Sequence, residues 1–352
     1  MAVVAVLAGG RSPEHDVSLQ SATQVLRHMG QCWRPWPVLI DREGRWRPAQ
    51  APADDREVPT GFEWPRMSAM SAGAALDFLQ HEAKVEVVFP VLHGPFGEDG
   101  SVQGMLELHD LPFVGSGCAA SAVAMDKLRT RECLTYHGVR MPAAYTPEAP
   151  LATADSALVA RQIEDAIGFP SFLKIDVSGS TIGVHRATSI TDAGDFIEEH
   201  RRAGRRFLAE APVVGEEITV PVLGNSGGPL QALTPVGIYP VGEEFFTYEA
   251  KYTARLCDEV APPRGLSAAD ISTVQEIASR CHVALQCDGM SRTDMIMGPD
   301  GPVVLEVNTI PGLTELSLLP RAAAADGIEF SALIDRLLDL AMQRAGVTES
   351  SR

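Results

Sequence analysis

Apolar positions in the first 120 residues fall into short continuous runs separated by stretches with helical spacing. Residues 3–7 form a β-branched apolar run closed by Gly9-Gly10, as expected of a strand buried on both faces. In residues 18–28, Leu19, Ala22, Val25 and Leu26 recur at helical intervals after a polar start, with Met29 just beyond. That spacing predicts an amphipathic helix. Residues 37–40 and 85–90 read as further buried strands, and 72–82 as a helix. Strands alternating with helices predict a parallel sheet covered on both faces. Residues 41–60 are rich in Pro, Arg, Asp and Trp and predict a surface hairpin or loop insertion.

The pattern changes after residue 120. A helix is expected over 121–137 and another over 155–167, then a strand at 172–175 and the glycine-rich turn Ser178-Gly-Ser-Thr-Ile-Gly183. A helix at 191–200 and a strand at 207–210 complete a compact α+β unit. Strand-like runs follow at 217–223, 234–239, 290–297 and 303–308, with helices at 268–285 and 330–345. No internal repeat appears. Three consecutive units are predicted: 1–120, 121–211 and 212–352.

Composition narrows the class. Of the 352 residues, 45% are hydrophobic and 21% charged, the proportions of an ordinary soluble globular protein. No apolar run approaches the ~20 residues needed to span a bilayer, and the apolar N-terminus lacks the basic residues that open a signal peptide. The expected location is the cytoplasm, with no membrane partner. A net charge of −17 argues against a broad nucleic-acid-binding face. Six cysteines without a Cys-x-x-Cys pair argue against a metal cluster, a redox motif or a disulfide framework. Only four of the 29 basic residues are lysines: Lys84, Lys127, Lys174 and Lys251. A lysine kept in so arginine-rich a chain suggests a need for a compact, mobile point charge.

Chemistry concentrates in a few runs. Arg292-Thr-Asp294 and Glu306-Val-Asn308 flank the turn Gly298-Pro-Asp-Gly301. Strand residues at i and i+2 share a face, so a hairpin would gather Asp294, Glu306 and Asn308 into an all-oxygen cluster beside Arg292. Hard oxygen ligands suit Mg²⁺ held partly by substrate phosphates; a solvated hairpin face is the plainer alternative. Lys174 precedes the Ser178–Gly183 turn, whose small residues let backbone N–H groups approach a phosphate, although the run also reads as a simple turn. It is not a Walker A loop, and Gly9-Gly10 opens no GxGxxG fingerprint. His93-Gly-Pro-Phe-Gly-Glu-Asp-Gly100 follows a strand, where open α/β sheets bind ligands; His93 alone is equally a satisfied loop histidine. Glu14 could bind an ammonium group or simply favour a helix start.

Taken in order, these pieces resemble a known family. Gly9-Gly10-x-Ser12-x-Glu14-x-x-Val17-Ser18, the His93–Gly100 run, Ser116-Gly117, Met125-Asp-Lys127, Glu249-Ala-Lys-Tyr252, Arg292-x-Asp294, Glu306-x-Asn308 and Pro311-Gly-x-Thr-x-x-Ser317-Leu318 are similar to the D-alanine–D-alanine ligases, from residue 3 to about 340. The resemblance implies an ATP-grasp fold of mixed α/β and α+β class. Its parts would be an N-terminal Rossmann-like substrate domain, a central α+β lid domain and a C-terminal α+β catalytic domain. It implies ATP as co-substrate, two Mg²⁺ ions (Mn²⁺ as a substitute) on Asp294, Glu306 and Asn308, D-alanine as substrate, and a homodimer.

The resemblance also implies roles. Lys127 and Lys174 would contact the nucleotide phosphates, Glu210 the adenine side and Glu217 the ribose, with Ser180 and Thr181 capping the phosphates and Lys251 reaching the γ-phosphate. Glu14, with His93, would bind the first D-alanine, while Gly312, Ser317 and Leu318 would receive the second. Arg292 would stabilise the oxyanion. Ser180 and Tyr252 would link with Glu14 to close a loop, and Tyr252 favours an amine acceptor, because D-lactate-using members replace that tyrosine. Three features depart from the family: Ile175 stands where a proline is usual, Ala211 replaces a lysine after Glu210, and the 41–82 stretch is long. The alternatives are an ATP-grasp ligase with another acceptor (D-serine, D-lactate or a specialised-metabolite amine) and a catalytically silent nucleotide-binding module. A silent module would have lost a metal ligand or Arg292. A dehydrogenase fails for want of the fingerprint.

Overall fold

Strand β1 (Ala2–Gly9) is buried from Val4 onward, flanked by parallel strands on both sides. This is a computed structural model, and it describes residues 1–50, 61–63, 65–147, 155–175, 183–201, 206–240 and 257–346. Helix α1 (His15–His28) returns the chain to β2 (Trp33–Ile40), which pairs in parallel with β1 from Ala2↔Trp33 to Gly9↔Ile40. Strand β3 (Trp46–Pro48) folds back antiparallel on β2. After α2 (Ala72–His81), β4 (Val87–Pro90) lies parallel to the other side of β1, and α3 (Ser101–Leu108) follows. The order β3-β2-β1-β4 places the loops after β1 and β4 side by side at the carboxyl end of the sheet. Ligands bind there in open α/β sheets.

Two expectations need correction. The 41–60 stretch does open in a hairpin, β2–β3, but not a surface one: Trp46 and Ala49 are 4% and 2% exposed, and Trp36 Nε1 donates to the Ala49 carbonyl at 3.1 Å. The inward alternation of Trp46 and Pro48 around Arg47 is too short to stand out among charged neighbours. The single helix expected over 121–137 is two, α4 (Cys118–Met125) and α5 (Lys127–Tyr136). Asp126 leaves helical backbone at φ −83°, ψ 103° and accepts the Arg129 N–H at 2.9 Å, the capping chemistry that starts a helix. The break makes Lys127 the first residue of α5.

The second sheet comprises β5 (Ala144–Tyr145), β6 (Ser171–Ile175), β7 (Val184–Ala187) and β8 (Phe207–Glu210), in the antiparallel order β5-β8-β6-β7. Helices α6 (Ser156–Ile167) and α7 (Ile190–Arg201) close its core through Ile163 and Ile197. The third unit is built on β9 (Glu216–Leu223), β10 (Gln231–Ala232), β11 (Val236–Pro240), β12 (Cys257–Val260), β13 (Met290–Gly298) and β14 (Gly301–Asn308). The order is β12-β11-β9-β13-β14, with β10 on β9. Helix α8 (Ala268–Ala284) covers it in a core that also takes Leu134 of α5. Helices α9 (Leu318–Ala325) and α10 (Phe330–Arg344) share a core with α1, where Val25 and Leu26 meet Leu333 and Leu337. Shared cores fix the first and third sheets against each other, since truncating one such leucine costs about 2–5 kcal/mol.

Candidate active site

A cleft is walled by Lys127 of α5, Lys174 of β6, Glu210 of β8, and Glu306 and Asn308 of β14. Pairing sets Lys174 opposite Leu208 and Phe172 opposite Glu210, so Lys174, Leu208 and Glu210 share the face turned to the cleft. Lys174 Nζ lies 2.6 Å from Glu210 Oε2, and Arg131 Nη1 lies 3.4 Å from Glu210 Oε1. Glu210 is 3% exposed, and two cations compensate a carboxylate whose burial alone would be costly.

The β13–β14 hairpin forms as expected. Arg292 is paired with Asn308 and Asp294 with Glu306, with a bulge after Asp294. Asp294 is buried. It accepts Arg292 Nε at 2.8 Å and Nη2 at 2.7 Å, Thr219 Oγ1 at 2.5 Å and Asn308 Nδ2 at 3.1 Å. Among the described residues no three His, Cys, Asp or Glu side chains converge to hold a metal. The donor set is instead two carboxylates and the Asn308 amide. That set fits a hard cation such as Mg²⁺, which usually keeps several waters and is completed by substrate phosphates.

Glu14, His93 and Ser12 are buried together at the carboxyl end of the first sheet. A side chain at Gly94 (φ +71°) would come within 2.7 Å of both Glu14 Oε2 and Ser12 Oγ, so only glycine lets this loop close on Glu14. Gly9 (φ +92°) is as constrained, since a Cβ would meet the Ile40 carbonyl at 2.4 Å. Burial lowers the His93 pKa against the opposing pull of Glu14 and the Ile310 backbone, and Arg292 lowers it further. The imidazole is therefore neutral at neutral pH. Glu98 accepts the Gly94 N–H at 2.7 Å and the Ile310 N–H at 3.3 Å. Burial pushes its carboxyl up to about 8, with Glu14 adding to the rise and both N–H groups and Arg292 opposing it. The third unit's Arg292 thus acts on the first unit's His93 and Glu98, across the seam where the two meet.

On the other side of that seam, a Cβ at Gly312 would meet Ser317 Oγ at 2.7 Å. Ser317 precedes α9, but its hydroxyl turns to Thr314, at 2.7 Å from Oγ1 and 3.1 Å from the Thr314 N–H. Among the described residues the first turn of α9, beginning at Leu318, therefore has no side-chain cap, and a helix N-terminus of that kind can receive an anion.

Of the residues expected from sequence, Lys127, Lys174, Glu210, Glu306 and Asn308 share the cleft, and Arg292 and Asp294 form the pair beside it. Glu217 lies on β9, opposite Ile238 and Ile296, and is not part of the cleft wall. Ser180, Thr181, Lys251 and Tyr252 lie outside the described residues. Sequence reasoning gave no role to Glu98, Thr219 or Arg131. Glu98 sat in view within the His93–Gly100 run. Thr219 becomes legible only through the β9–β13 pairing that sets it opposite Asp294.

Comparison with known proteins matches this geometry. The model for the D-ala D-ala ligase N-terminus matches residues 3–116, and that for the D-ala D-ala ligase C-terminus matches residues 143–339. A D-alanine–D-alanine ligase of Clostridium acetobutylicum is 35% identical over 346 residues, covering 97% of this chain and 98% of its own. One from Syntrophobacter fumaroxidans is 38% identical over 344 residues, covering 97% of each. The solved D-alanine–D-alanine ligase of Coxiella burnetii superposes with a TM-score of 0.77 at 27% identity, covering 98% of this chain and 95% of its own. A D-Ala:D-Ser ligase of Enterococcus faecalis gives a TM-score of 0.77 at 29% identity, covering 97% and 99%. The ATP-grasp architecture is thus the one observed, and the chain belongs to the D-alanine–D-alanine ligase family.

Proposed function

We propose that this chain joins two D-alanines to D-alanyl-D-alanine at the expense of ATP, as a cytoplasmic homodimer serving peptidoglycan precursor synthesis. One observation carries the reading. The cleft with Lys127 and Lys174 is continuous with the Arg292–Asp294 pair, and Arg292 in turn faces the Glu14, His93 and Glu98 group. Phosphate chemistry and amino-acid recognition meet at one arginine. Among the described residues no helix is long and apolar enough to cross a membrane.

The chemistry follows from a poor acyl donor. A carboxylate oxygen of the first D-alanine attacks the γ-phosphorus of ATP, ADP leaves, and an acyl phosphate forms. The amine of the second D-alanine then attacks its carbonyl carbon, a proton leaves the amine, and phosphate departs. Lys127, at the N-terminus of α5, and Lys174 neutralise charge on the transferring group. Asp294, Glu306 and Asn308 would hold two Mg²⁺ or Mn²⁺ ions, which supply Lewis-acid neutralisation there. Glu14 pairs with the first ammonium, and a neutral His93 beside it does not repel that charge. Arg292 stabilises the oxyanion as the carbonyl turns tetrahedral. Gly312, Ser317 and the Leu318 N–H receive the second carboxylate at the start of α9. From the family resemblance, Glu217 is assigned to the ribose, Ser180 and Thr181 to capping the phosphates, Lys251 to the γ-phosphate, and Ser180 and Tyr252 to closing a loop with Glu14.

Phosphate release from Mg-ATP, measured with D-alanine alone and then with D-serine or D-lactate added, tests the proposal when each product is identified by mass. Turnover on D-alanine alone that yields the dipeptide supports it. Turnover only with a second acceptor retains the ligase and replaces its product. No ATP-dependent product with any acceptor removes the catalytic assignment.

A further inference from the structure

We infer that Arg131 is a positioning residue of the nucleotide site: it holds Glu210 when Lys174 leaves that carboxylate for the phosphates, so that one lysine serves two partners in turn. The inference rests on reading the cleft as the ATP site. Lys174 Nζ is 2.6 Å from Glu210 Oε2. A lysine at that distance cannot move to a phosphate without stripping a buried carboxylate of its nearest counter-charge. Losing one partner of a buried pair is among the costliest single changes a site can suffer. A second cation that stays behind removes that cost.

Arg131 has the placement for it. Its Nη1 lies 3.4 Å from Glu210 Oε1, while Nη2 donates to the Pro142 carbonyl. The guanidinium is therefore anchored from two sides and does not depend on the carboxylate alone. Its helix is anchored as well. Asp126, the cap of α5, pairs with Arg206 at 2.7 Å, Leu134 is fully buried in the third core, and Cys133 Sγ donates to the Ala284 carbonyl at 3.3 Å. The two cations divide the work as their chemistry suggests. The planar, fixed arginine keeps the carboxylate, and the flexible lysine moves. Nothing in the sequence singles out Arg131, one of two arginines on a helix whose motif ends at Lys127.

The experiment compares ADP with adenosine, whose affinities are measured by competition against ATP for the parent protein, Arg131→Met, Arg131→Lys and Lys174→Met. Adenosine has no phosphate and so does not draw Lys174 away from Glu210. Arg131→Met is expected to weaken ADP about tenfold and adenosine less than about twofold, with Arg131→Lys recovering most of the ADP affinity. Equal loss for both ligands would make Arg131 structural and overturn the inference, as would unchanged ADP affinity. Adding Arg131→Met to Lys174→Met should cost ADP nothing further, because no exchange remains to be supported; an additive loss also overturns it. If Lys174→Met alone leaves ADP affinity unchanged, the assignment of the cleft to ATP fails first. Should Arg131→Met not fold, Arg131→Lys and the Lys174→Met pair of ligands still decide the matter.

Discussion

Arg292 and Asp294, two residues apart on β13, form a planar two-bond pair: Nε meets Oδ1 at 2.8 Å and Nη2 meets Oδ2 at 2.7 Å. The carboxylate fixes the plane and heading of the guanidinium, which is what a group aimed at a developing oxyanion requires. A lysine would keep the charge but lose the fork. Arg292→Lys is therefore expected to lower kcat by about 10²-fold or more, the scale for losing one oxyanion donor. Steady-state kinetics at saturating ATP and D-alanine check this. Activity within a few-fold of the parent would mean that the charge alone suffices.

The hairpin that carries this pair was legible in the sequence because two short-range rules sufficed: alternation along a strand and a Gly-Pro-Asp-Gly turn. The same holds for the loops after β1 and β4, whose glycines mark backbone that must pass close to Glu14. What escaped was non-local. The break at Asp126 depends on a cap that only the folded helix reveals, with apolar residues on both sides masking it. Helix α3 hid its apolar positions Val102, Met105 and Leu106 behind a glycine-rich loop. Arg131 and Thr219 owe their places to helix docking and strand pairing, which no spacing along one chain records.

Glu98 ties two loops from different units, through the Gly94 N–H and the Ile310 N–H. Above its pKa of about 8 the Glu98 carboxylate accepts both, whereas glutamine offers one acceptor oxygen and one amide NH2, so one of the two N–H groups then faces a donor. An unsatisfied buried donor costs about 1–3 kcal/mol. At pH 9, where Glu98 is ionised, Glu98→Gln should therefore lower kcat/KM for D-alanine about tenfold or more, and by less at pH 7, while the KM for ATP stays within about twofold. A parallel rise in both KM values would assign Glu98 to general stability rather than to the seam.

The metal assignment turns on a small ligand set of Asp294, Glu306 and Asn308. Chelation with EDTA should abolish phosphate release, and either Mg²⁺ or Mn²⁺ should restore it. Glu306→Gln preserves shape and removes one charge. The Mg²⁺ concentration giving half-maximal rate should then rise about tenfold or more, with far-ultraviolet circular dichroism unchanged. An unaltered Mg²⁺ requirement would take Glu306 out of the ligand set.

His282 offers a stability test on the face of β13 opposite Arg292. It is fully buried in α8, with Nδ1 2.7 Å from Ser291 Oγ and, among the described residues, no hydrogen-bond partner for Nε2. Burial pushes its imidazole down to about 4, against the field of Asp288 and backbone contacts. An unfolded chain takes up a proton at this side chain below about pH 6.5. The folded protein refuses that proton until about pH 4, so stability falls as pH drops from 6.5 toward 4 and is indifferent to this group above 6.5. Over that window the group should withdraw on the order of 3 kcal/mol. His282→Asn keeps a polar atom for Ser291 but cannot take up a proton. It should be less stable than the parent at pH 7.5, because volume is lost from the core, yet lose less on acidification. Urea unfolding of both proteins at pH 7.5, 6 and 5 reads the difference directly. Equal slopes for the two would show that the His282 imidazole titrates alike in the folded and unfolded chains.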